Sequence, residues 1–285
     1  MAEDREILSK VWEGRVPACI TLAVDDLIIG ENLEPQYLML PRISYFTVAL
    51  DKVQKSFQKY ISPDLKNNEF WIDYKGTPLK MQFPIGVLCD MHNRESETPW
   101  NLTLHFSSLP SQLLSFPTRE SIESQFLSYV KEADALKHRG KVLQTLGMKD
   151  RKQLWQGLIT DKFSQFLGIN QKLMDSSGSM AFRNIPFRLH GLPAPTDSSV
   201  LLPAVMRLQK PFTDDNQPLL LSHLIEDTLA DLIKPDDVLV VQGVVLPRDT
   251  PLLWMSQHLS CPDNFLHFCV RRPAFDAAAA AVTVN

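Results

Sequence analysis

The side chains best suited to chemistry in this chain lie in residues 131–138, which read Lys-Glu-Ala-Asp-Ala-Leu-Lys-His. The apolar spacing around this segment is typical of a long helix, so its charged side chains are predicted to form one solvated polar face. The segment opens with the primary amine of Lys131, and a lysine amine can form a covalent bond with an activated carbonyl.

An ordinary lysine is a poor nucleophile at neutral pH. With a pKa near 10.4, about four molecules per ten thousand carry the free amine at pH 7. Its acylation therefore depends on an enzyme that docks beside it and supplies the activated carbonyl. On residue type alone Lys131 is a solvated helix residue. The position of the segment, in a long helix between two similar blocks, indicates a scaffold that carries a reactive lysine rather than an enzyme with an active site.

Other candidate chemistry is weaker. Cys89 and His92 are close in sequence, but no third orienting group is evident, which favours a buried thiol beside a loop imidazole. His105 and His267 are interpreted as structural polar groups. The four cysteines share no Cys-x-x-Cys spacing and lie mostly in apolar runs, which predicts buried thiols in a reducing compartment. The sequence signatures of hydrolases, nucleotide-binding loops and zinc peptidases are missing. We therefore predict that the chain has no catalytic residue, no cofactor and no metal site.

The charge distribution is uneven. Residues 131–174 hold nine Lys and Arg against four acids, a net +5, whereas the whole chain carries −4 and the remainder −9. We predict membrane contact at Lys137, Arg139 and Lys141, where anionic lipid would meet this basic stretch, with a solvated helical surface as the competing interpretation. Nothing in the sequence predicts binding to nucleic acid. The acidic N-terminus predicts no secretory signal, and a cytoplasmic location.

Element spacing predicts the same small fold twice. Each copy reads strand, strand, helix, strand, strand, short helix, strand, which is the order of a ubiquitin-like β-grasp fold. We therefore predict an α+β protein with two ubiquitin-like folds flanking a helix-rich domain. The predicted boundaries are an N-terminal helix at 1–15, a first ubiquitin-like domain at 16–108, a helix-rich domain at 119–175, a second ubiquitin-like domain at 182–273, and a disordered tail at 274–285.

Three helix predictions are specific enough to check. One continuous helix is predicted over 46–60, and another over 219–232. The long central helix is predicted to begin with a cap at Ser121.

The chain resembles the autophagy protein 5 family over almost its whole length. The matching motifs are long and occur in the same order, at residues 11–14, 76–80, 84–86, 131–138, 152–155 and 262–267. In that family the lysine that opens the segment Lys-Glu-Ala-Asp-Ala-Leu-Lys-His is the isopeptide acceptor for autophagy protein 12, a ubiquitin-like protein. The resemblance therefore implies that Lys131 is the covalent acceptor.

The resemblance also implies partners. It implies covalent attachment of autophagy protein 12 by the conjugating enzymes of the pathway, and binding of the amphipathic N-terminal helix of autophagy protein 16. The assembly would promote transfer of autophagy protein 8 to phosphatidylethanolamine, peripherally on the preautophagosomal or phagophore membrane. The alternatives are a non-covalent ubiquitin-like adaptor at membranes and, more remotely, a cysteine hydrolase that uses Cys89.

A groove for the partner helix is expected where the three parts of the chain meet. We predict Gly86, Asp90 and Trp100 near it, because Gly86 permits close approach and the short helix over 84–90 is edge-like. The competing interpretation is that Gly86 serves turn geometry and that Trp100 belongs to the core.

Overall fold

The computed structural model describes residues 2–28, 33–115, 118–178, 181–192 and 204–272. Internal contacts divide the chain into two units, Trp12–Gln125 and a second that combines Met1–Val11 with Phe126–Asn285. The helical region therefore shares a unit with the sheet that follows it in sequence. The predicted tail at 274–285 lies outside the described residues.

The first unit is built on a five-stranded sheet in the order β2-β1-β5-β3-β4. Its strands are β1 (Arg15–Leu22), β2 (Gln36–Pro41), β3 (Trp71–Tyr74), β4 (Thr77–Pro78) and β5 (Trp100–His105). The central pair, β1 and β5, is parallel and the other pairs are antiparallel. Alternate residues of β5 point into the core, so that Trp100, Leu102 and Leu104 are almost fully buried.

Three helices accompany this sheet: α2 (Phe46–Ala49), α3 (Asp51–Phe57) and α4 (Ile85–His92). The prediction of one helix over 46–60 is wrong, because the backbone of Leu50 leaves helical geometry at ψ 10° and separates α2 from α3. Leu50 is fully buried there, so the apolar periodicity continues across the break although the helix does not.

The helical region contains α5 (Arg119–His138), α6 (Lys141–Thr145), α7 (Met148–Ile159) and α8 (Phe163–Leu173). The predicted cap at Ser121 is wrong by one turn. The helix begins at Arg119, and the backbone N–H of Ser121 donates to the side-chain oxygen of Thr118 at 3.2 Å. Arg139, at φ +61°, and Gly140, at φ +75°, end α5 in the left-handed conformation, which glycine tolerates best.

The second unit also contains α1 (Ala2–Trp12) and a sheet in the order β7-β6-β10-β8-β9. Its strands are β6 (Ile185–His190), β7 (Val205–Gln209), β8 (Val238–Val241), β9 (Val244–Val245) and β10 (Leu266–Arg271). The parallel pair β6 and β10 takes the central place that β1 and β5 take in the first sheet. Helix α10 (Leu252–Leu259) precedes β10, and both strand order and pairing repeat the first unit.

The predicted helix over 219–232 is wrong. The structure has one short turn, α9 (Leu221–His223), followed by a π-helical turn over Leu224–Thr228. Leu220 forms an isolated antiparallel bridge with Pro251, which holds the chain extended before α9. The N–H of Leu229 then donates to the carbonyl of Leu224, five residues back, as expected for π geometry.

Strand β6 is buried along its whole length. Its alternate residues Ile185, Phe187 and Leu189 belong to the apolar core of the second sheet. The side chains between them lie on the other face of the sheet, where Arg188 contacts α5. This face of the sheet therefore supports the segment that the sequence marks for chemistry.

Candidate functional site

Lys131 lies on the exposed face of α5. After the first turn, exposed positions in this helix recur every three or four residues and comprise Ser124, Ser128, Lys131 and Ala135. Within the described ranges, the amine of Lys131 has no hydrogen bond and no ion pair. Its neighbours three residues before and four residues after it along this face, Ser128 and Ala135, are small. The amine is therefore open to a docked partner.

The predicted single polar face over 131–138 is wrong. Ala133, Asp134, Lys137 and His138 are all buried. One carboxylate oxygen of Asp134 accepts the N–H of Leu143 at 2.8 Å, and the other lies 3.1 Å from Nδ1 of His138. Carboxylates three residues after a lysine are common helix ion-pair partners, but this one is already engaged inward.

Glu132, the other acid of the segment, contacts strand β6. Its carboxylate lies 3.2 Å from the guanidinium of Arg188, which is also 3.5 Å from the carboxylate of Asp263. The same guanidinium lies 4.0 Å from the ring centroids of both Tyr129 and Phe265. Arginine is the cation suited to this arrangement, because its planar fork both stacks on rings and pairs with carboxylates.

A buried polar chain continues behind Arg188. Asp263 lies 3.0 Å from Nε2 of His267, whose Nδ1 lies 2.9 Å from Nε2 of His190. Burial works to raise the pKa of Asp263, but the facing charges of His267 and Arg188 keep the pKa below its usual value. Asp263 is therefore held as a carboxylate, which gives Arg188 a buried counter-charge besides the partly exposed Glu132. The prediction that His267 is a structural polar group is confirmed.

The prediction that Lys137 contacts a membrane is wrong. Its side chain is almost fully buried, with Nζ 3.2 Å from the sulfur of Met174 and 4.8 Å from the ring centroid of Phe182. A sulfur and an aromatic face are weak partners for an ammonium group. Burial lowers the pKa of Lys137 to about 7 despite the opposing charges of Asp263 and Asp134. The other two predicted contacts, Arg139 and Lys141, are exposed.

We expect the replacement Lys137→Met to raise the free energy of unfolding by about 1–3 kcal/mol at pH 6, because a buried charge with weak partners is replaced by an apolar side chain. In the wild type, the unfolded lysine holds its proton up to its ordinary pKa while the folded lysine loses it near pH 7. Wild-type stability therefore rises with pH between about pH 7 and pH 10 through this group, and the advantage of the variant shrinks.

Urea unfolding of both proteins at pH 6 and pH 9 measures this difference. A variant less stable than the wild type at both pH values would show that the buried ammonium group is stabilising.

The three residues predicted near a partner-helix groove are buried. Trp100 is fully buried and packs against Phe46 and Tyr74 with ring centroids about 6 Å apart, as the core interpretation predicted. Its position near a partner-helix groove stays a prediction. Asp90 pairs with the guanidinium of Arg42. A Cβ on Gly86 would lie 2.9 Å from Cβ of Arg42, so the close approach expected at Gly86 is made by the same chain.

The remaining candidates are Cys89, His92 and His105. All four cysteines, Cys89 among them, are buried, as predicted. Burial lowers the pKa of His92 to about 4, which keeps its imidazole neutral at pH 7. His105 stacks on Trp71 with ring centroids 3.9 Å apart.

No cluster of three or more potential metal ligands occurs in the ranges that the structure describes. None of the helices in those ranges is both long enough and apolar enough to cross a membrane.

Sequence reasoning missed Arg188 and its two aromatic neighbours. The one available signal is an arginine in the middle of the mainly apolar strand Ile-Pro-Phe-Arg-Leu-His, where a buried cation requires a counter-charge. Tyr129 and Glu132, three residues apart on one side of α5, are partners of the right type.

The fold and this site define a class of protein with two ubiquitin-like domains and an intervening helical bundle. Family models match in three places: the UblA domain of autophagy protein ATG5 at residues 11–106, its alpha-helical bundle region at 119–176, and its UblB domain at 184–270. The chain belongs to the autophagy protein 5 family. The predicted fold class and the family resemblance are both confirmed, and the family gives the chain a role in autophagy.

Individual relatives support the same family assignment. The chain is 42% identical to autophagy protein 5 of Drosophila melanogaster, over 95% of this chain and 98% of that protein. It is 31% identical to autophagy-related protein 5 of Caenorhabditis elegans, over 93% and 97%. The crystal structure of Kluyveromyces marxianus Atg5 has the same fold, with a TM-score of 0.78 at 17% identity over 94% of this chain and all of that one.

Proposed function

We propose that this protein is the acceptor and non-catalytic core of an autophagy conjugation complex, modified at Lys131 by the ubiquitin-like autophagy protein 12. The observation that carries the proposal is the exposed amine of Lys131, unpaired within the described residues, on a helix whose neighbouring acids are engaged inward. Both carboxylates nearest in sequence, on Glu132 and Asp134, have other partners. Among the residues that the structure describes, the amine therefore has no counter-ion.

The proposed step is aminolysis of a thioester. The deprotonated amine of Lys131 attacks the thioester carbonyl of the modifier on its conjugating enzyme; the new C–N bond forms as the C–S bond breaks. The enzyme's cysteine leaves as a thiolate, and the surplus amine proton passes to base or solvent. Docking supplies the proximity that an ordinary lysine lacks, so no catalytic residue is assigned to this chain.

The conjugate would bind the amphipathic helix of autophagy protein 16 and promote transfer of autophagy protein 8 to phosphatidylethanolamine on the phagophore membrane. Arg139 and Lys141 are the exposed basic residues left from the predicted membrane contact. Each contributes about 1 kcal/mol near an anionic surface, so two such contacts act only together with partners.

A non-covalent adaptor at membranes is the alternative function. The two proposals differ in one observable, a covalent bond to a second protein. We expect a fraction of the protein from its own cells to carry an added ubiquitin-like protein on denaturing gels and in intact-mass spectra. An isopeptide bond withstands strong thiol reductant, whereas a thioester does not. Protein of unmodified mass only, under conditions that induce autophagy, would favour the adaptor.

A further inference from the structure

Arg188 lies on strand β6 and contacts the helix α5, which is far from it in sequence. Its side chain is 8% exposed, with two carboxylates and two aromatic rings around the guanidinium. Two of these partners, Tyr129 and Glu132, come from the turn of α5 that contains Lys131. The other two, Asp263 and Phe265, precede strand β10.

We propose that Arg188 is a positioning residue for modification of Lys131, acting through Glu132 and Tyr129 to fix the rotation of α5 on the second sheet. The inference rests on the proposed function, because it assumes that Lys131 is the acceptor. Arg188 does not touch the reacting amine, and its effect is on where that amine points.

The contacts of Arg188 with Glu132 and Tyr129 are called the clamp, and helix geometry explains how it acts. Successive residues of an α-helix are about 100° apart around the axis, so Glu132 and Tyr129 lie on neighbouring directions, about 100° and 160° from Lys131. When both are held against Arg188, Lys131 must face away from the sheet. Because rates of transfer between bound groups depend steeply on orientation, a loosened turn lowers the rate without removing the amine.

The buried chain behind Arg188 supports the clamp. Asp263 accepts the N–H of Phe265 at 3.1 Å and lies 3.0 Å from Nε2 of His267, so each of its carboxylate oxygens has a second contact besides Arg188 or in place of it. Lysine at position 188 would keep the charge, but it would lose the planar stack between two rings and the fork that reaches both carboxylates. Arg188→Lys therefore removes the stacking and the paired contacts of Arg188 while it keeps the positive charge.

Single-turnover transfer tests the proposal, with conjugating enzyme charged with the ubiquitin-like modifier as a thioester and full-length acceptor at varied concentration. The variants are Glu132→Asp, which keeps the charge but is one methylene too short, Glu132→Gln, which keeps the length, and Arg188→Lys. The matched control is Arg207→Lys, an exposed arginine on the neighbouring strand of the same sheet. Thermal unfolding of each variant confirms the fold.

We expect Glu132→Asp and Arg188→Lys to lower the maximal transfer rate about 3- to 10-fold, with the half-saturating concentration within about twofold of wild type. Glu132→Gln keeps an oxygen acceptor at the same reach, so its loss is expected to be smaller than that of Glu132→Asp. Arg207→Lys is expected to behave as wild type. Peptide mapping is expected to show a larger share of the residual conjugate on other lysines in the two impaired variants.

Wild-type maximal rates for Glu132→Asp and Arg188→Lys would overturn the inference. So would a loss confined to the half-saturating concentration, which would mean enzyme docking rather than positioning. A stronger loss for Glu132→Gln than for Glu132→Asp would mean that charge alone matters. Lys131→Arg in the same assay tests the proposed function separately: if it is still modified at the wild-type rate the acceptor assignment fails, whatever the clamp variants do.

Discussion

The replacement Lys131→Arg is expected to abolish the covalent adduct and leave the protein folded. Arginine keeps the positive charge and the helix propensity of lysine, and it occupies an exposed position without a partner in the described residues. The free energy of unfolding should therefore change by less than about 0.5 kcal/mol. A guanidinium does not act as an acyl acceptor under these conditions, because it remains protonated. Denaturing gels of cell extracts measure the adduct.

The matched control is Lys141→Arg. Lys141 is also exposed and lies ten positions further along the same helical region, at the start of α6. We expect this variant to form the adduct as the wild type does. Persistence of the adduct in Lys131→Arg at wild-type abundance would refute the assignment of Lys131.

The replacement Asp90→Ala is expected to destabilise the first ubiquitin-like domain by about 3–5 kcal/mol, because it removes the buried carboxylate that pairs with the largely buried guanidinium of Arg42. Their side chains are only 14% and 6% exposed, so solvent cannot replace the lost interaction. Hydrogen–deuterium exchange of peptides from α4 and β5 measures the loss within this domain. Failure of such a variant to bind a partner helix would therefore follow from unfolding.

Two comparison variants distinguish loss of the buried ion pair from the loss of stability that any broken ion pair in this domain would cause. Glu95→Ala breaks an exposed pair with Lys75 in the same domain and should cost less than about 1 kcal/mol. The double replacement of Arg42→Met with Asp90→Leu removes both charges together and should recover much of the lost stability. Unchanged exchange protection in Asp90→Ala would contradict the account of this pair.

The parts of the fold that the sequence predicts correctly are those that depend on local patterns of residues. The strand order and the duplication follow from alternating apolar residues and turn residues, which are properties of neighbouring positions. The break at Leu50 and the π-helical turn after His223 were not predictable in this way. The segment that precedes the π-helical turn is held by a contact distant in sequence, the bridge between Leu220 and Pro251.

The candidate site shows the same division. The exposure of Lys131 agrees with the helical periodicity of α5. The burial of Lys137 is unexpected from its residue type, because lysine is rarely buried without a strong partner. Helical periodicity is consistent with burial, since Lys137 lies four residues after the buried Ala133 on the same side of the helix. Arg188 is 56 residues from Glu132, and nothing in the local pattern joins them before the sheet and the helix pack together.

The central claim is that the amine of Lys131 accepts the modifier, and protease mapping of the purified wild-type adduct tests it most directly. We predict one branched peptide in which the C-terminal residue of a ubiquitin-like protein is joined by an isopeptide bond to Nζ of Lys131, together with unmodified peptides for the other exposed lysines. A branch at another lysine or at the N-terminal amine, with peptide 131 recovered unmodified from the adduct, would contradict the account.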